Sequence, residues 1–328
     1  MHAISRYLSP NYDCYFSQVF ADHPAIRAAV RYGMLDHTVL GGEIKRKADL
    51  YLETHQLKND FQCANFNNKY DLVLACTDML LPAQLKNVKT VWVQEGMIDG
   101  LNFLARLTKS LHLPRYWAFS TALNGSSNLC DIYCAASEGY KDYFRKGGTE
   151  REKIIATGIP NFDDLAACKE NNFPKHDYVL AATSDIRECF RFENRPKFIR
   201  KCADIAQGRP LVFKLHPNEK YNRAIREIKD HAPAGTEIFT EGNTNEMIAN
   251  CSELITQYST VVFVGLVLGK KVHSYFNVEN LKKLCPIQNG GNSAKAIAKL
   301  CSAFISYHGN GKEFLSKGIN REVKKYIL

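Results

Sequence analysis

The apolar positions fall into two regimes along the chain. Residues 16–34, "FSQVFADHPAIRAAVRYGM", repeat apolar side chains at helical spacing, and "HTVLGG" (37–42) reads as a short strand; residues 1–60 carry the weakest pattern. From residue 71 a rhythm sets in. "DLVLAC" (71–76), "TVWVQEG" (90–96), "DIYCAAS" (131–137) and "KIIATGIP" (153–160) are short apolar runs bounded by turn signals. Between the last two lies "EGYKDYFRKGG", a helical pattern closed by glycine. Near-continuous apolar strands alternating with helices predict a parallel sheet covered on both faces.

The rhythm breaks at "KENNFPKHD" (169–177), polar with a proline and two asparagines, which reads as a linker. It restarts with the strands "YVLAATSD" (178–185), "LVFKL" (211–215), "EIFTE", "ELIT" (253–256) and "KVHSY" (271–275). The helical patterns "RPKFIRKCADIAQG", "NRAIREIKDH", "TNEMIANC" and "TVVFVGLVLG" separate them. The expected fold is α/β: two Rossmann-like domains, 1–170 and 171–328, facing a cleft. The amphipathic helix expected over 311–328 packs back toward the N-terminal domain. Ligands of such sheets bind outside the carboxyl ends of the strands, so the residues just past each strand are the ones to inspect.

Five strand ends carry candidate chemistry. Glu95 follows the strand of "VWVQEG", with Gly96 allowing a sharp turn; it reads either as a loop partner or as a desolvated general base. Gly158 and Asn161 in "ATGIPNFDD" form a turn after the next strand, where Asp163 can cap a helix. Thr183, Ser184 and Asp185 end the first strand of the second half, with Arg187 just beyond. The hydroxyls can donate to a phosphate, and Asp185 reads as a helix cap or as a carboxylate nucleophile. Ser259 and Thr260 open an apolar helix whose first N–H groups and dipole suit an anion. His216 ends "LVFKL"; Pro217 biases it toward extended backbone, and Lys214 adds positive charge two residues back. A histidine there can be a solvated turn residue, a zinc ligand, a base or a phosphate contact.

Composition narrows the classes. Net charge is +9 and 23% of residues are charged, without a basic run or interleaved aromatic signature, so an anionic ligand fits better than nucleic acid. Eleven cysteines without a C-x-x-C read as reduced thiols of a cytosolic protein. The N-terminus lacks the apolar stretch of a signal peptide and no run reaches membrane-spanning length, so membrane contact would be peripheral, at the inner face. Dinucleotide-fold, P-loop, H-E-x-x-H, G-x-S-x-G and D-x-D motifs are absent.

"QEG" (94–96), "KLHP" (214–217) and "YST" (258–260) resemble three motifs of bacterial sialyltransferases and polysialyltransferases: acidic-Gly, His-Pro and Ser/Thr. Capsule Kdo transferases and teichoic-acid glycerophosphotransferases carry related elements. "ITQYSTVVFVGLVLGKKVHSY" is similar to the glycerophosphotransferase stretch, with Gln257 and Val264 where that family has aspartates. The resemblance implies a GT-B glycosyltransferase, with 1–170 on the acceptor side and 171–328 binding the nucleotide sugar, that moves a Kdo or sialic-acid-like sugar from a CMP-linked donor to a glycan or glycolipid acceptor of capsule or lipopolysaccharide. It implies that His216, Pro217, Ser259 and Thr260 hold the donor phosphate, Glu95 is the base, and no metal or cofactor is needed. If configuration is retained, Asp185 is the candidate nucleophile. The alternatives are a CDP-polyol phosphotransferase and an enzyme like UDP-N-acetylglucosamine 2-epimerase, which usually carries a glutamate where Val264 stands.

Overall fold

The structure is a computed structural model that describes residues 1–17, 24–34, 41–60, 70–78, 87–118, 120–188 and 192–319. The chain forms two compact units: Met1–Pro160 with Asn292–Leu328, and Asn161–Gly291.

The first unit holds helices α1 (His2–Leu8), α2 (Pro24–Arg31), α3 (Gly42–Thr54), α4 (Phe103–Ser110) and α5 (Glu138–Gly147). A short parallel pair joins β1 (Tyr15–Phe16) to β2 (Lys58–Asn59). The main sheet is parallel, in the order β3 (Leu72–Ala75), β4 (Lys89–Val93), β5 (Ile132–Ala135), β6 (Ile154–Ala156). Alternation along β4 places Trp92 on one face, packed against Tyr133 and edge-on to Phe144 of α5. Val91 and Val93 point the other way. Helix α5 is bounded as its sequence predicts: the Ser137 hydroxyl accepts from the Tyr140 N–H, and Gly148 closes the helix at φ 121°.

The second unit is a five-stranded parallel sheet of β7 (Val179–Ala182), β8 (Leu211–Lys214), β9 (Glu237–Phe239), β10 (Glu253–Thr256) and β11 (Lys271–His273). Its spatial order is β11-β10-β7-β8-β9. Strands β7 to β9 build outward in one direction and β10 to β11 in the other, so the order reverses between β7 and β10. Helices α6 (Arg195–Ala206) and α7 (Tyr221–His231) bury Phe198, Ile199, Cys202, Ala224 and Ile228 against β7 and β8. Helices α8 (Thr244–Asn250), α9 (Val261–Val267) and α10 (Val278–Leu284) complete the unit. A Cβ at Gly265 would stand 2.6 Å from Leu254 and 3.0 Å from Val272, so the missing side chain is what lets α9 lie close on β10 and β11.

The chain then returns to the first unit as α11 (Ser293–Ser306). Ile297, Leu300, Cys301 and Phe304 pack with Ile4 and Leu8 of α1 and with Val91, Val93, Ile132 and Cys134 of the sheet. Lys89 Nζ donates to the last carbonyls of this helix, those of Phe304, Ile305 and Tyr307, at 2.7, 2.8 and 2.7 Å. The return of the C-terminal segment is begun by 293–306 and continued by 311–319, where Phe314 is wholly buried in the same core and Leu315 and Ile319 pack against it. Within 311–328, one turn (Gly311–Glu313) and a π-helical stretch (Phe314–Gly318) are formed, and 320–328 lie outside the described residues. The strand expected in 37–42 also falls outside them but for its glycines, as do residues 18–23 of the first helical pattern.

The expected boundary lay near residue 170, whereas the units part between Pro160 and Asn161. Two aromatics account for the shift. Phe162 packs edge-on to Phe263 of α9, and Phe173 packs edge-on to Tyr178 and Phe239. Asn171 and Asn250 exchange side-chain hydrogen bonds at 2.9 and 3.1 Å. The polar segment is thus anchored on the second unit.

Candidate functional site

The reversal of strand order between β7 and β10 opens the place where doubly wound sheets take their ligands. Thr183, Ser184 and Asp185 emerge there from β7, Tyr258, Ser259 and Thr260 follow β10, and His216 follows β8 on the other side of β7. The Ser184 hydroxyl donates to the Tyr258 carbonyl at 3.5 Å, tying two of these ends together.

His216 is half-buried, and its backbone is fixed from below. Its N–H donates to Glu219 Oε2 at 2.9 Å and to Thr183 Oγ1 at 3.1 Å. The imidazole Nδ1 accepts from the Asn218 N–H at 3.3 Å. In the neutral ring that bond assigns the proton to Nε2, the ring nitrogen left to donate outward. Asp185 Oδ2 lies 3.7 Å from Nδ1 and accepts from the Asn218 side-chain amide at 3.0 Å. Among the described residues Asp185 caps no helix; it belongs to a loop continued by the turn of Ile186–Glu188. Pro217 is exposed at the tip.

Beneath the histidine lies a buried charge network that the sequence reading missed. Glu219, whose side chain is wholly buried, takes the guanidinium of Arg195 on Oε1 and the Thr183 hydroxyl on Oε2. Arg195 Nε donates to Glu193 at 3.0 Å, and Glu193 also receives the Gln257 amide at 2.6 Å. Arg187 lies 3.1 Å from Glu193 and forks onto both oxygens of Glu227 at 2.8 Å. This pairing raises the Arg187 pKa and lowers that of Glu227. Arg187 therefore joins the buttress. Lys214 does the same: it is buried, its ammonium donates to the carbonyls of Leu215 and Thr240 at 3.0 and 3.1 Å, and burial lowers its pKa. A signal for Glu219 was present. It stands three residues after His216 and reaches back to that residue's N–H, the geometry of a capping box.

At the start of α9, Thr260 occupies the cap position with helical backbone, and the Ser259 hydroxyl accepts from the Val261 N–H at 3.5 Å. Both residues are half-buried.

In the first unit, Glu95 is exposed past the end of β4 rather than desolvated. Burial, and then the neighbouring Glu95 carboxylate, push the Cys76 thiol well above its ordinary range. Gln94 is fully buried. It donates to the Gly96 carbonyl and accepts from the Ala136 N–H, both at 2.8 Å, so it fixes the turn that presents Glu95. Gly158 is buried at φ 72°, a left-handed conformation that suits glycine, and Asn161 is exposed in a short 3-10 turn, Pro160–Phe162. Among the described residues no group of three or more His, Cys, Asp or Glu side chains is placed to hold a metal ion.

No protein-family model and no curated protein sequence matches this chain. Solved structures do. UDP-GlcNAc 2-epimerase from Neisseria meningitidis bound to UDP-GlcNAc superposes with a TM-score of 0.52 at 15% identity, over 92% of this chain and 96% of that one. The S. aureus MnaA–UDP complex gives 0.53 at 14% identity, over 78% and 86%. The wall teichoic acid polymerase TagF soaked with CDPG gives 0.52 at 12% identity, over 93% and 84%. These likenesses show the fold: the chain is an α/β protein of the GT-B type, built from two Rossmann-like units. Among the described residues no helix is long and apolar enough to cross a membrane.

Proposed function

We propose that this chain is a nucleotide-sugar-dependent GT-B enzyme whose second unit holds the donor's phosphate between the ends of β7, β8 and β10. The observation that carries this reading is His216: a histidine beside the reversal of strand order, its main chain fixed by Glu219 and Thr183, its Nδ1 engaged so that Nε2 donates outward. That nitrogen, the Ser259 and Thr260 hydroxyls and the first N–H groups of α9 suit a phosphate leaving group. Asp185, 3.7 Å from His216 Nδ1, orients the imidazole through Asn218, whose side-chain amide donates to the carboxylate. This is the role its position favours; as a nucleophile it would first have to leave Asn218. Glu95 takes the acceptor proton, and its desolvation comes with the bound substrates.

The three motifs direct the finer proposal to a cytidine-linked donor, CMP-Kdo or a CMP-sialic-acid-like sugar, and to a surface glycan or glycolipid acceptor at the inner face of the membrane. The fold shared with TagF, soaked with CDPG, is compatible with cytidine and keeps a CDP-polyol phosphotransferase in view. A second reading, an epimerase acting on UDP-N-acetylglucosamine, is favoured by the fold shared with such enzymes. Titration with CMP, CDP, UDP and GDP separates these. Cytidine nucleotides should bind, and transfer from a CMP-sugar should be abolished by Glu95→Ala with nucleotide affinity retained. Conversion of UDP-N-acetylglucosamine without any acceptor would replace the transferase reading by the epimerase one.

A further inference from the structure

Helix α4 of the first unit is seated on its small residues. Ala105 packs with Ala118, Ala122 and Leu123 from the two 3-10 turns that follow, Arg115–Ala118 and Thr121–Leu123. Thr108 is the other buried residue of the helix. The large apolar side chains point outward instead. Phe103 is 80% exposed, Leu111 57% and Trp117 50%, and Leu101, Leu104 and Leu107 are exposed as well. Phe103, Leu107 and Leu111 recur every fourth residue, so they form one row along the helix. A surface helix ordinarily turns such residues to the core and polar ones to water. A contiguous apolar surface left outside marks a docking face.

The same surface is cationic. From Gly100 to Cys130 the chain carries Arg106, Lys109 and Arg115 and no Asp or Glu. Arg106 and Lys109 are exposed. Lys109 and Arg115 donate to the carbonyls of Gly147 and Ser127, neutral groups that leave their charge uncompensated. Asp99, the acid just before this segment, is turned onto Thr121 and accepts from its N–H and hydroxyl at 3.2 and 2.9 Å.

We propose that α4 and the turn Arg115–Ala118 dock on a membrane leaflet bearing anionic lipid. Leucine and phenylalanine enter the acyl boundary, while arginine and lysine reach headgroup phosphates on their long stems. Trp117 suits the interface between the two. A second copy of the chain fits less well, because a two-fold contact would set these cations against themselves. A protein partner fits less well too, since the cores of protein interfaces are depleted of lysine. The inference goes beyond the transferase reading and does not rest on it.

The test mixes the full chain, without nucleotide, with vesicles of phosphatidylcholine alone and with vesicles of phosphatidylcholine and phosphatidylglycerol in equal parts. Trp92 is wholly buried, so Trp117 is the responsive one of the two tryptophans. Its emission should shift to the blue on the mixed vesicles, and lipid brominated on the acyl chain should quench it. Affinity for the mixed vesicles, read by co-sedimentation, should fall about tenfold or more in Phe103→Ser/Leu107→Ser/Leu111→Ser and in Arg106→Gln/Lys109→Gln. Added salt should weaken wild-type binding. No binding to the mixed vesicles overturns the proposal. So does equal binding to both kinds of vesicle, or binding that the apolar variant leaves unchanged. Dimerisation that the apolar variant abolishes, without vesicle binding, overturns it in favour of a second copy. If a variant unfolds, wild-type quenching and the preference for mixed vesicles decide alone. Nucleotide binding is measured apart from all of this, so failure here leaves the donor site standing, and failure there leaves the docking face.

Discussion

Glu219→Ala is the sharpest structural perturbation this protein offers. One buried carboxylate accepts from the Arg195 guanidinium, the Thr183 hydroxyl and the His216 N–H. Its removal leaves Arg195, which is 1% exposed, with Glu193 as its remaining carboxylate partner, and Nη1 of that arginine already lacks a hydrogen bond. Breaking a buried ion pair from one side costs about 3–5 kcal/mol, because the surviving charge cannot reach water. Glu219→Gln keeps the shape and loses the charge, at about 1.5–3 kcal/mol. Both tryptophans, Trp92 and Trp117, lie in the first unit, so fluorescence would miss the event. Hydrogen exchange of peptides covering β7 and β8 reads it directly. At about 1.4 kcal/mol per tenfold, the slowest amides of β7 and β8 should exchange faster by about two to three and a half orders of magnitude in Glu219→Ala. Replacing both partners, Glu219→Leu with Arg195→Met, should recover much of the loss. Protection within threefold of wild type in the single variant would refute the network as a buttress for His216.

Acid should loosen the same sheet from its opposite end. Burial pushes the Glu253 carboxyl up, but hydrogen bonds from His273, Arg209 and Lys271 outweigh it and hold the pKa at about 2, below the usual 4.5. A carboxyl depressed in the folded state contributes stability that is complete above its unfolded pKa and is lost as pH falls through the folded one. Urea midpoints should therefore decline from pH 4.5 toward pH 2, with a smaller decline in Glu253→Gln. Gly265→Ala would place a methyl against Leu254 and Val272 at the contact of α9 with the sheet. Overpacking at about 1–3 kcal/mol should exceed the helix-propensity gain of about 1 kcal/mol, lowering Tm; a higher Tm would show that α9 can move off the sheet without penalty.

Most strands from β3 to β10 were legible because they are nearly continuous apolar runs, the signature of a parallel sheet covered on both faces; the edge strands β9 (EIF) and β11 (KVH) are short and partly polar. Strand order was not legible, since pairing is set by helix crossings that no short window contains. The importance of α11 was hidden for the opposite reason. "SAKAIAKLCSAFIS" is apolar on most sides, and nothing local says that it closes the first unit's core. At the site, His216 and Ser259 stood out through their places at strand ends. Lys214 and Arg187 also stood out, yet their charges are spent inside the second unit, on the carbonyls of Leu215 and Thr240 and on Glu227. Sequence shows that a cation follows a strand but not which way it turns. Glu193, Arg195 and Glu219 escaped notice because burial, which makes them matter, is a property of the folded chain.

The central claim is that the ends of β7, β8 and β10 hold a nucleotide phosphate through His216. Calorimetric titration of the full chain with CMP, CDP, UDP and GDP, repeated on His216→Ala, tests it most directly. The account predicts one nucleotide bound per chain, a cytidine nucleotide tightest, with affinity at least tenfold weaker in the variant. Binding that His216→Ala leaves unchanged, or no binding of any of the four, would contradict it.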